Sequence, residues 1–252
     1  MIKAVIFDLD GTIYLGNKLI GNIKTTLKIL KERKIPYIFV TNTTSKSTQI
    51  ILKKLNNLGI EIEENKIISP VVVSKQFLRR QNVKKIAIEH CPPLEPEYNE
   101  FEISLKPDVV ILADDGKGLE YEAVNRIFNH HLNGAKITSL QKNKYYRKEG
   151  ELVADLGFYV AGFEYITGNP IMNFGKPSQE LFEYAQSILQ VADKNNIAVV
   201  GDDLEFDILG AQKLGFKGFL VQTGKYQNGI EDNFSLKPDH VIQDAADIIS
   251  FI

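Results

Sequence analysis

Residues 3–12, KAVIFDLDGT, constrain the fold of this chain more than any other stretch. The apolar residues form a continuous run, which is typical of a strand buried on both faces of a parallel sheet. The run ends at Asp8 and Asp10, and Gly11 then allows the backbone to turn. Because residues i and i+2 lie on one face of a strand, both carboxylates can face the same small space. The stretch therefore predicts a strand that carries two acids to a site, with an exposed acidic turn as the alternative.

The chain alternates between strand and helix patterns from the N-terminus to residue 82. Apolar runs at residues 35–40 and 66–68 predict two further strands, and apolar residues at helical spacing lie between the strands. Ser69 and Pro70 fit the N-cap and first position of a helix that continues to about residue 81. Such a βαβαβα order is typical of a doubly wound parallel sheet.

Residues 83–171 have a different pattern: a predicted strand at 85–88 is followed by a proline-rich break at 91–96, and the segment as a whole predicts a smaller α/β unit. From about residue 171 the first pattern resumes, with apolar strands at 197–200 and 218–221. We therefore predict an α/β fold, in which a doubly wound, Rossmann-like parallel-sheet core of residues 1–82 and 172–252 is interrupted by a smaller α/β domain at 83–171.

The composition is that of a globular protein without a basic excess. The net charge is -2 over 252 residues, so neither nucleic acid nor an anionic membrane is an expected partner. The single cysteine, Cys91, cannot form an internal disulfide, which fits a reducing compartment. No segment approaches the roughly 18 apolar residues of a membrane span, and the N-terminal run lacks the basic flank of a signal peptide. We expect a cytoplasmic protein.

Four groups of polar residues follow predicted strands or lie in predicted loops. They are Asp8 with Asp10, Thr41 with Asn42, Lys176, and Asp202 with Asp203 and Asp207. Three of the groups follow apolar strands, and the carboxyl ends of parallel strands meet at one edge of a sheet. Carboxylates gathered there require a cation, and an all-oxygen ligand set favours Mg²⁺. Lys176 and the Thr41 hydroxyl would add contacts suited to a phosphate.

Each group also has a simpler structural explanation. Lys176 alone could be a solvated surface lysine, and Thr41 with Asn42 could cap the following helix. Asp203 and Asp207 are better suited to support metal ligands, or to begin a helix, than to bind the metal directly. The functional hypothesis therefore depends on whether the groups converge.

Four motifs, in this order, resemble those of the haloacid dehalogenase superfamily of phosphatases. They are DLDGT at 8–12, VTN at 40–42, GKP at 175–177 and GDDLEFD at 201–207. The insertion between the second and third motifs resembles the C2-type α/β cap domain of one branch. The resemblance implies a Mg²⁺-dependent phosphatase that hydrolyses a small phosphorylated metabolite or pyrophosphate through an aspartyl phosphate. This chain departs from the pattern at Phe206, where many members have Thr or Ser.

The resemblance also implies a role for each site residue. Asp8 would be the nucleophile, and Asp10 would protonate the leaving group and then activate water. The remaining roles are metal binding by Asp8, Asp10 and Asp202, phosphate binding by Thr41, Asn42 and Lys176, and support of the metal ligands by Asp203 and Asp207. Lys176 would also take part in catalysis by holding the phosphoryl group.

The cap is expected to recognise the leaving group of the substrate. We predict substrate contacts from a loop after a cap strand, formed by Lys144, Tyr145, Tyr146 and Arg147, although a solvated basic loop is equally compatible with its sequence. Caps of this branch also dimerise, so the resemblance implies a homodimer through the cap.

Two other functions were weighed against the phosphatase. A haloacid dehalogenase needs neither Mg²⁺ nor an acid at the second position, so the presence of Asp10 and Asp202 favours a phosphatase. A phosphate-accepting regulatory or binding module with little turnover would also use an aspartate cluster, Mg²⁺ and a lysine. The long insertion and the acid two residues after Asp8 argue against such a module.

Overall fold

The structure, a computed structural model, describes residues 1–89, 92–113, 118–148 and 151–252, without the side chains of residues 92, 93, 147 and 148. Cys91 therefore lies outside the described residues. The chain divides into two compact units. Unit 1 consists of Met1–Thr41, Thr48–Ile68 and Lys176–Ile252, and unit 2 of Asn42–Ser47 and Ser69–Gly175.

The secondary structure alternates between strands and helices over most of the chain. In chain order, the strands are β1 (Ala4–Asp8), β2 (Tyr14–Leu15), β3 (Lys18–Leu19), β4 (Tyr37–Val40), β5 (Ile67–Ile68), β6 (Lys85–Glu89), β7 (Glu102–Ile103), β8 (Val109–Leu112), β9 (Lys136–Ser139), β10 (Tyr145–Lys148), β11 (Glu151–Ala154), β12 (Met172–Asn173), β13 (Ile197–Gly201), β14 (Lys217–Val221) and β15 (His240–Ile242). The α-helices are α1 (Ile23–Glu32), α2 (Thr48–Asn57), α3 (Pro70–Arg80), α4 (Tyr121–Leu132), α5 (Gly157–Thr167), α6 (Gln179–Leu189) and α7 (Gly210–Lys213).

Unit 1 is built on a six-stranded sheet in the order β15-β14-β13-β1-β4-β5, in which every pairing is parallel. All five residues of β1 are buried, as the apolar run predicted. The Phe7 ring packs against the rings of Phe39 and Tyr37, with centroids 6.2 and 6.3 Å apart. The central position of β1 places its neighbours β13 and β4 on either side, so three strand ends come together at the carboxyl edge.

Unit 2 contains a second parallel sheet in the order β12-β9-β8-β6-β7, and a separate antiparallel hairpin formed by β10 and β11. Helix α3 belongs to this unit, whereas the predicted core extended to residue 82. The grouping has a physical basis in packing: the Phe77 ring lies 5.3 Å from that of Phe174, and the Ser74 and Tyr98 hydroxyls are 2.6 Å apart. Helix α3 thus groups with unit 2 because of its side-chain contacts, although the alternation of strands and helices in the sequence assigned it to the core.

The α/β fold with a parallel-sheet core is confirmed. The observed secondary structure differs from the predicted one where the sequence pattern is weak. The segment at residues 144–147 was predicted as a loop, which is wrong, because residues 145–148 pair with β11. After β13, where Asp203 and Asp207 were considered as residues that begin a helix, the chain forms a π-helical segment, Leu204–Leu209, followed by the short α7. The terminal helix is a 3₁₀ helix, Ala245–Phe251. None of the helices described is both long and apolar enough to cross a membrane.

The start of α3 offers a direct test of the sequence-based capping argument. The Ser69 hydroxyl accepts a hydrogen bond from the Val72 N–H at 3.4 Å. We expect Ser69→Ala to lower the free energy of unfolding by about 1 kcal/mol, because the N–H loses its partner. Asn22, the N-cap of α1, makes no side-chain capping bond, so Asn22→Ala is the matched control. Urea unfolding measures both, and equal losses would contradict the capping role.

Candidate active site

Lys176 forms ion pairs with two buried carboxylates in unit 1. Its Nζ lies 2.5 Å from Asp8 Oδ1 and 2.5 Å from Asp207 Oδ1. Only 5% of Lys176 is exposed, so the alternative of a solvated surface lysine is wrong. Residues 8 and 176 are far apart in sequence, and the lysine joins the end of β1 to the C-terminal part of the core.

The sheet topology places Asp202 beside Asp8. Asp202 directly follows β13, which pairs with β1, and Asp207 comes from the π-helical segment after that strand. Oxygen atoms of Asp8, Asp202 and Asp207 all lie within 4.8 Å of one another, and all three residues are buried. Asp207, predicted to support the metal ligands, thus has its carboxylate inside the cluster itself.

The cluster holds more negative charge than its lysine balances. Burial, together with the neighbouring Asp8 and Asp207, raises the pKa of Asp202 to about 8. Burial also raises the pKa of Asp207, to about 7, although Lys176 opposes the shift. Burial alone would lower the pKa of Lys176, but Asp207 and Asp8 outweigh it and raise that pKa, so the lysine stays charged. A further cation would therefore stabilise the ionised carboxylates.

The donor atoms of the cluster fit Mg²⁺. Asp8 Oδ2 is buried and has no hydrogen-bond partner in the part of the chain that the structure describes. Carboxylate oxygens of Asp8, Asp202 and Asp207 form a hard ligand set, which suits Mg²⁺ and not a metal that prefers sulfur or nitrogen. These residues could hold the ion, with water or substrate oxygens completing its shell.

Asp203 lies next to the cluster and is held by three hydrogen bonds. Its Oδ1 accepts from the Phe206 N–H at 3.0 Å, its Oδ2 accepts from Lys225 Nζ at 2.8 Å, and its own N–H donates to Asp207 Oδ2 at 3.2 Å. Burial alone would raise the pKa of Asp203, but Lys225 and the Phe206 N–H hold it below the usual value. Because Phe206 contributes its backbone, the absence of Thr or Ser there leaves this bond intact.

Asp10 follows strand β1 and Thr41 follows strand β4, and the two residues differ in exposure. Asp10 is exposed and precedes Gly11, whose φ of +86° turns the chain away from β1. Thr41 is buried at the end of β4, and its N–H donates to the Ile68 carbonyl at 3.0 Å. This N–H therefore extends the sheet, and the Thr41 hydroxyl remains the group predicted to contact phosphate.

The remaining predicted site residues belong to unit 2. Asn42 donates from Nδ2 to Asn143 Oδ1 at 3.1 Å. Lys144 and Tyr145 are exposed, and Tyr146 is half-buried. The side chain of Arg147 lies outside the described residues, so its predicted contact stays a prediction. Tyr145 and Tyr146 thus lie in a strand of the hairpin, whereas a loop was predicted, and Lys144 directly precedes this strand.

Sequence reasoning missed the segment of residues 223–225, which contacts the cluster after β14. The Lys225 N–H donates to Asp202 Oδ2 at 2.7 Å, and the Thr223 hydroxyl donates to the Gly11 carbonyl at 2.5 Å. Its position after a buried parallel strand was an available signal, because the other strand ends were selected by that rule. The absence of an acidic residue in the segment is why it was passed over.

Two family models match the chain. One described as haloacid dehalogenase-like hydrolase matches residues 5–104, and one described as HAD-hydrolase-like matches residues 173–248. Together they cover β1, Thr41, Lys176 and the aspartates of the cluster. The chain belongs to the haloacid dehalogenase-like hydrolases.

Curated relatives and solved structures agree with this assignment over nearly the whole chain. The chain is 28% identical over 253 residues to haloacid dehalogenase-like hydrolase domain-containing protein 2 of Mus musculus, covering 96% of each. It is 28% identical over 258 residues to the phospholysine phosphohistidine inorganic pyrophosphate phosphatase of Rattus norvegicus, covering 100% of this chain and 94% of the relative. It superposes on 4-nitrophenylphosphatase of Thermotoga maritima with a TM-score of 0.89 at 26% identity, covering 99% and 97%.

The raised pKa of Asp202 predicts a pH-dependent stability in the absence of metal. A carboxyl group that binds its proton more tightly when folded lowers the free energy of unfolding as pH rises from its ordinary pKa of 3.8 towards about 8. Asp202→Asn removes this loss, so we expect the variant to gain stability relative to the unsubstituted protein over that range. The relative gain should not exceed about 1.4 kcal/mol per pH unit.

Urea unfolding in EDTA, at a series of pH values for both proteins, measures this difference. Asp232→Asn is the control, because the Asp232 side chain is 82% exposed. If the free energy of unfolding varied with pH in the same way in the unsubstituted protein and in Asp202→Asn, the predicted destabilisation by the Asp202 charge would be contradicted.

Proposed function

We propose that this hydrolase is a Mg²⁺-dependent phosphatase that acts on a small phosphorylated metabolite or pyrophosphate through a phosphorylated Asp8. The observation that carries the proposal is the buried cluster of Asp8, Asp202 and Asp207, with Lys176 paired to two of them. A nucleophilic carboxylate, a binding site for a hard cation and a fixed positive charge are the groups that phosphoryl transfer needs. Relatives named as phosphatases support it.

The two oxygens of Asp8 have different surroundings, which suits a nucleophile. Oδ1 is paired with Lys176, while Oδ2 is buried without a hydrogen-bond partner among the described residues. In the first step, an Asp8 oxygen attacks phosphorus and the bond from phosphorus to the leaving oxygen breaks. Lys176 holds the phosphoryl oxygens and balances their charge.

Asp10 moves the proton in both steps. Protonated Asp10 donates to the leaving oxygen as its bond to phosphorus breaks. The carboxylate so formed removes a proton from water, whose oxygen attacks phosphorus and breaks the bond to Asp8. Inorganic phosphate is released, and both aspartates return to their starting forms. The exposure of Asp10, in contrast to the burial of Asp8, fits a group that exchanges protons with substrate and water.

Bound Mg²⁺ would neutralise the carboxylates and draw electron density from the phosphoryl oxygens. We assign Asp8, Asp202 and the Asp10 carbonyl as its ligands, with Asp203 and Asp207 holding them in place. Thr41 and Asn42 are assigned to the phosphate. The presence of Asp10 and Asp202 favours the metal-dependent phosphatase over a dehalogenase, because a dehalogenase needs neither Mg²⁺ nor an acid at the second position. A module with little turnover is the other alternative, and Asp10 argues against it.

We assign residues 83–171 as a C2-type cap that excludes water and selects the leaving group. Lys144, which precedes β10, and Tyr145, the first residue of β10, are both exposed and provide a cation and an aromatic ring for this purpose. The proposal includes a homodimer through the cap and a cytoplasmic location, where small phosphorylated metabolites are available. The cap and its contacts concern substrate preference, and the chemistry of the core does not depend on them.

The nucleophile assignment predicts that Asp8→Asn abolishes turnover. Phosphate release from p-nitrophenyl phosphate with Mg²⁺ should fall by on the order of 10⁴-fold, because the amide cannot attack phosphorus. EDTA should abolish the activity of the unsubstituted protein, and added Mg²⁺ should restore it. Asp232→Asn removes an exposed carboxylate and should leave the rate unchanged. Activity that survives in Asp8→Asn would overturn the proposed function.

The cap assignment predicts a change of preference without a loss of chemistry. We expect Lys144→Ala/Arg147→Ala to reorder activities towards pyrophosphate, sugar phosphates, nucleotides, pyridoxal phosphate and phosphoamino acids, because a cation of the hairpin would meet the leaving group. Lys106→Ala/Lys136→Ala removes two exposed lysines elsewhere in unit 2 and serves as the control. Steady-state kinetics on the panel measures the order, and an unchanged order would refute the assignment.

A further inference from the structure

We infer that residues 223–225, the segment after β14, form a positioning element that orients Asp202 and Asp203 for the cation. This inference rests on the proposed role of Asp202 as a metal ligand. It concerns residues that are not among the catalytic, metal-binding or phosphate-binding residues of the proposed function. Three independent contacts connect the segment to the site.

The first contact fixes one oxygen of the Asp202 carboxylate. The Lys225 N–H donates to Oδ2 at 2.7 Å. The terminal torsion of an aspartate is otherwise broad, so a backbone donor that does not move with a side chain limits the rotation of the carboxylate. A ligand oriented in this way loses less conformational freedom when it binds a metal.

The second contact anchors the segment to the turn after β1. The Thr223 hydroxyl donates to the Gly11 carbonyl at 2.5 Å. Gly11 and Gly224 face each other: a Cβ on Gly224 would lie 2.7 Å from the Gly11 Cα and would overlap Asp202 Oδ2. Both glycines have positive φ, +86° and +57°. The Asp202 carboxylate therefore lies against two backbones that approach closely because neither residue has a side chain.

The third contact extends the same support to Asp203. Lys225 Nζ donates to Asp203 Oδ2 at 2.8 Å, so one residue holds two successive aspartates, the first by its backbone and the second by its side chain. The Lys225 side chain is 63% exposed, and exposed ion pairs contribute little to stability because water screens them. Orientation of Asp203, rather than stability, is the main consequence of this pair.

The geometry predicts an effect on metal affinity that is separate from substrate binding. Loss of a group that orients a metal ligand raises the dissociation constant of the metal by roughly 10- to 100-fold. Thr223→Val removes the hydroxyl donor and keeps the side-chain shape, and we expect its Mg²⁺ dissociation constant to rise about 10-fold. Thr223→Ser keeps the hydroxyl and should bind Mg²⁺ like the unsubstituted protein. Lys225→Met removes the Asp203 contact but also a positive charge that opposes cation binding, so it should give a smaller rise.

Isothermal titration of the full-length protein with MgCl₂, without substrate, measures these constants. The Mg²⁺ dependence of p-nitrophenyl phosphate hydrolysis provides a second readout: half-saturation by Mg²⁺ should shift, while KM for the substrate at saturating Mg²⁺ stays constant. Thr26→Val removes a hydroxyl that donates to a backbone carbonyl elsewhere in unit 1, and Lys217→Met removes a lysine paired with Asp239 at 2.8 Å. Neither control should alter Mg²⁺ binding.

Asp202→Asn separates failure of this inference from failure of the proposed function. If Asp202→Asn binds Mg²⁺ as tightly as the unsubstituted protein, the proposed metal site is wrong and the inference falls with it. If Asp202→Asn loses Mg²⁺ while Thr223→Val and Lys225→Met both retain normal affinity, only the positioning role is overturned. Should Thr223→Val fail to fold, as judged by circular dichroism, Thr223→Ala removes the same hydroxyl, and an unchanged affinity in that variant is sufficient to overturn the positioning role.

Discussion

Repulsion between buried carboxylates is the constraint on which the rest of the structure depends. Asp8, Asp202 and Asp207 are brought together where water cannot screen them, and Lys176 is the cation paired with two of them. Such an arrangement is energetically unfavourable, and it persists only because a rigid backbone holds the three residues in place. Parallel pairing of β1 with β13 supplies that rigidity, because the positions of strand ends are fixed by the sheet's hydrogen bonds. The fold thus favours the binding of a cation at one edge of the core sheet.

Much of the core could be predicted, because its signals are local. The apolar run before Asp8 and the one before Asp202 each specify a strand, and the rule for parallel sheets then places their ends at one edge. The residues adjacent to Lys176 in sequence do not predict its burial. The carboxylates predicted at the same edge of the sheet do, because buried acids that converge require a cation.

The parts that escaped prediction depend on contacts between distant residues. Thr223 and Gly11 are 212 positions apart, and the sequence around neither residue predicts the hydrogen bond between them. The strand at residues 145–148 carries polar side chains, so its extended form depends on pairing with β11 and not on an apolar pattern. Asp207 was predicted to support the metal ligands or to begin a helix, and the sequence did not show that a π-helical segment would bring its carboxylate into the cluster.

The central position of β1 has a consequence for the order of events during synthesis. One of its neighbours, β4, follows within about 30 residues, but the other, β13, does not exist until residue 197 has been added. Until then one edge of a strand whose first four residues are apolar has no partner, and an unpaired edge favours association with other chains. The growing polypeptide must therefore shield β1 while the whole of unit 2 is made. The final third of the chain, which completes the ligand set, also closes the sheet.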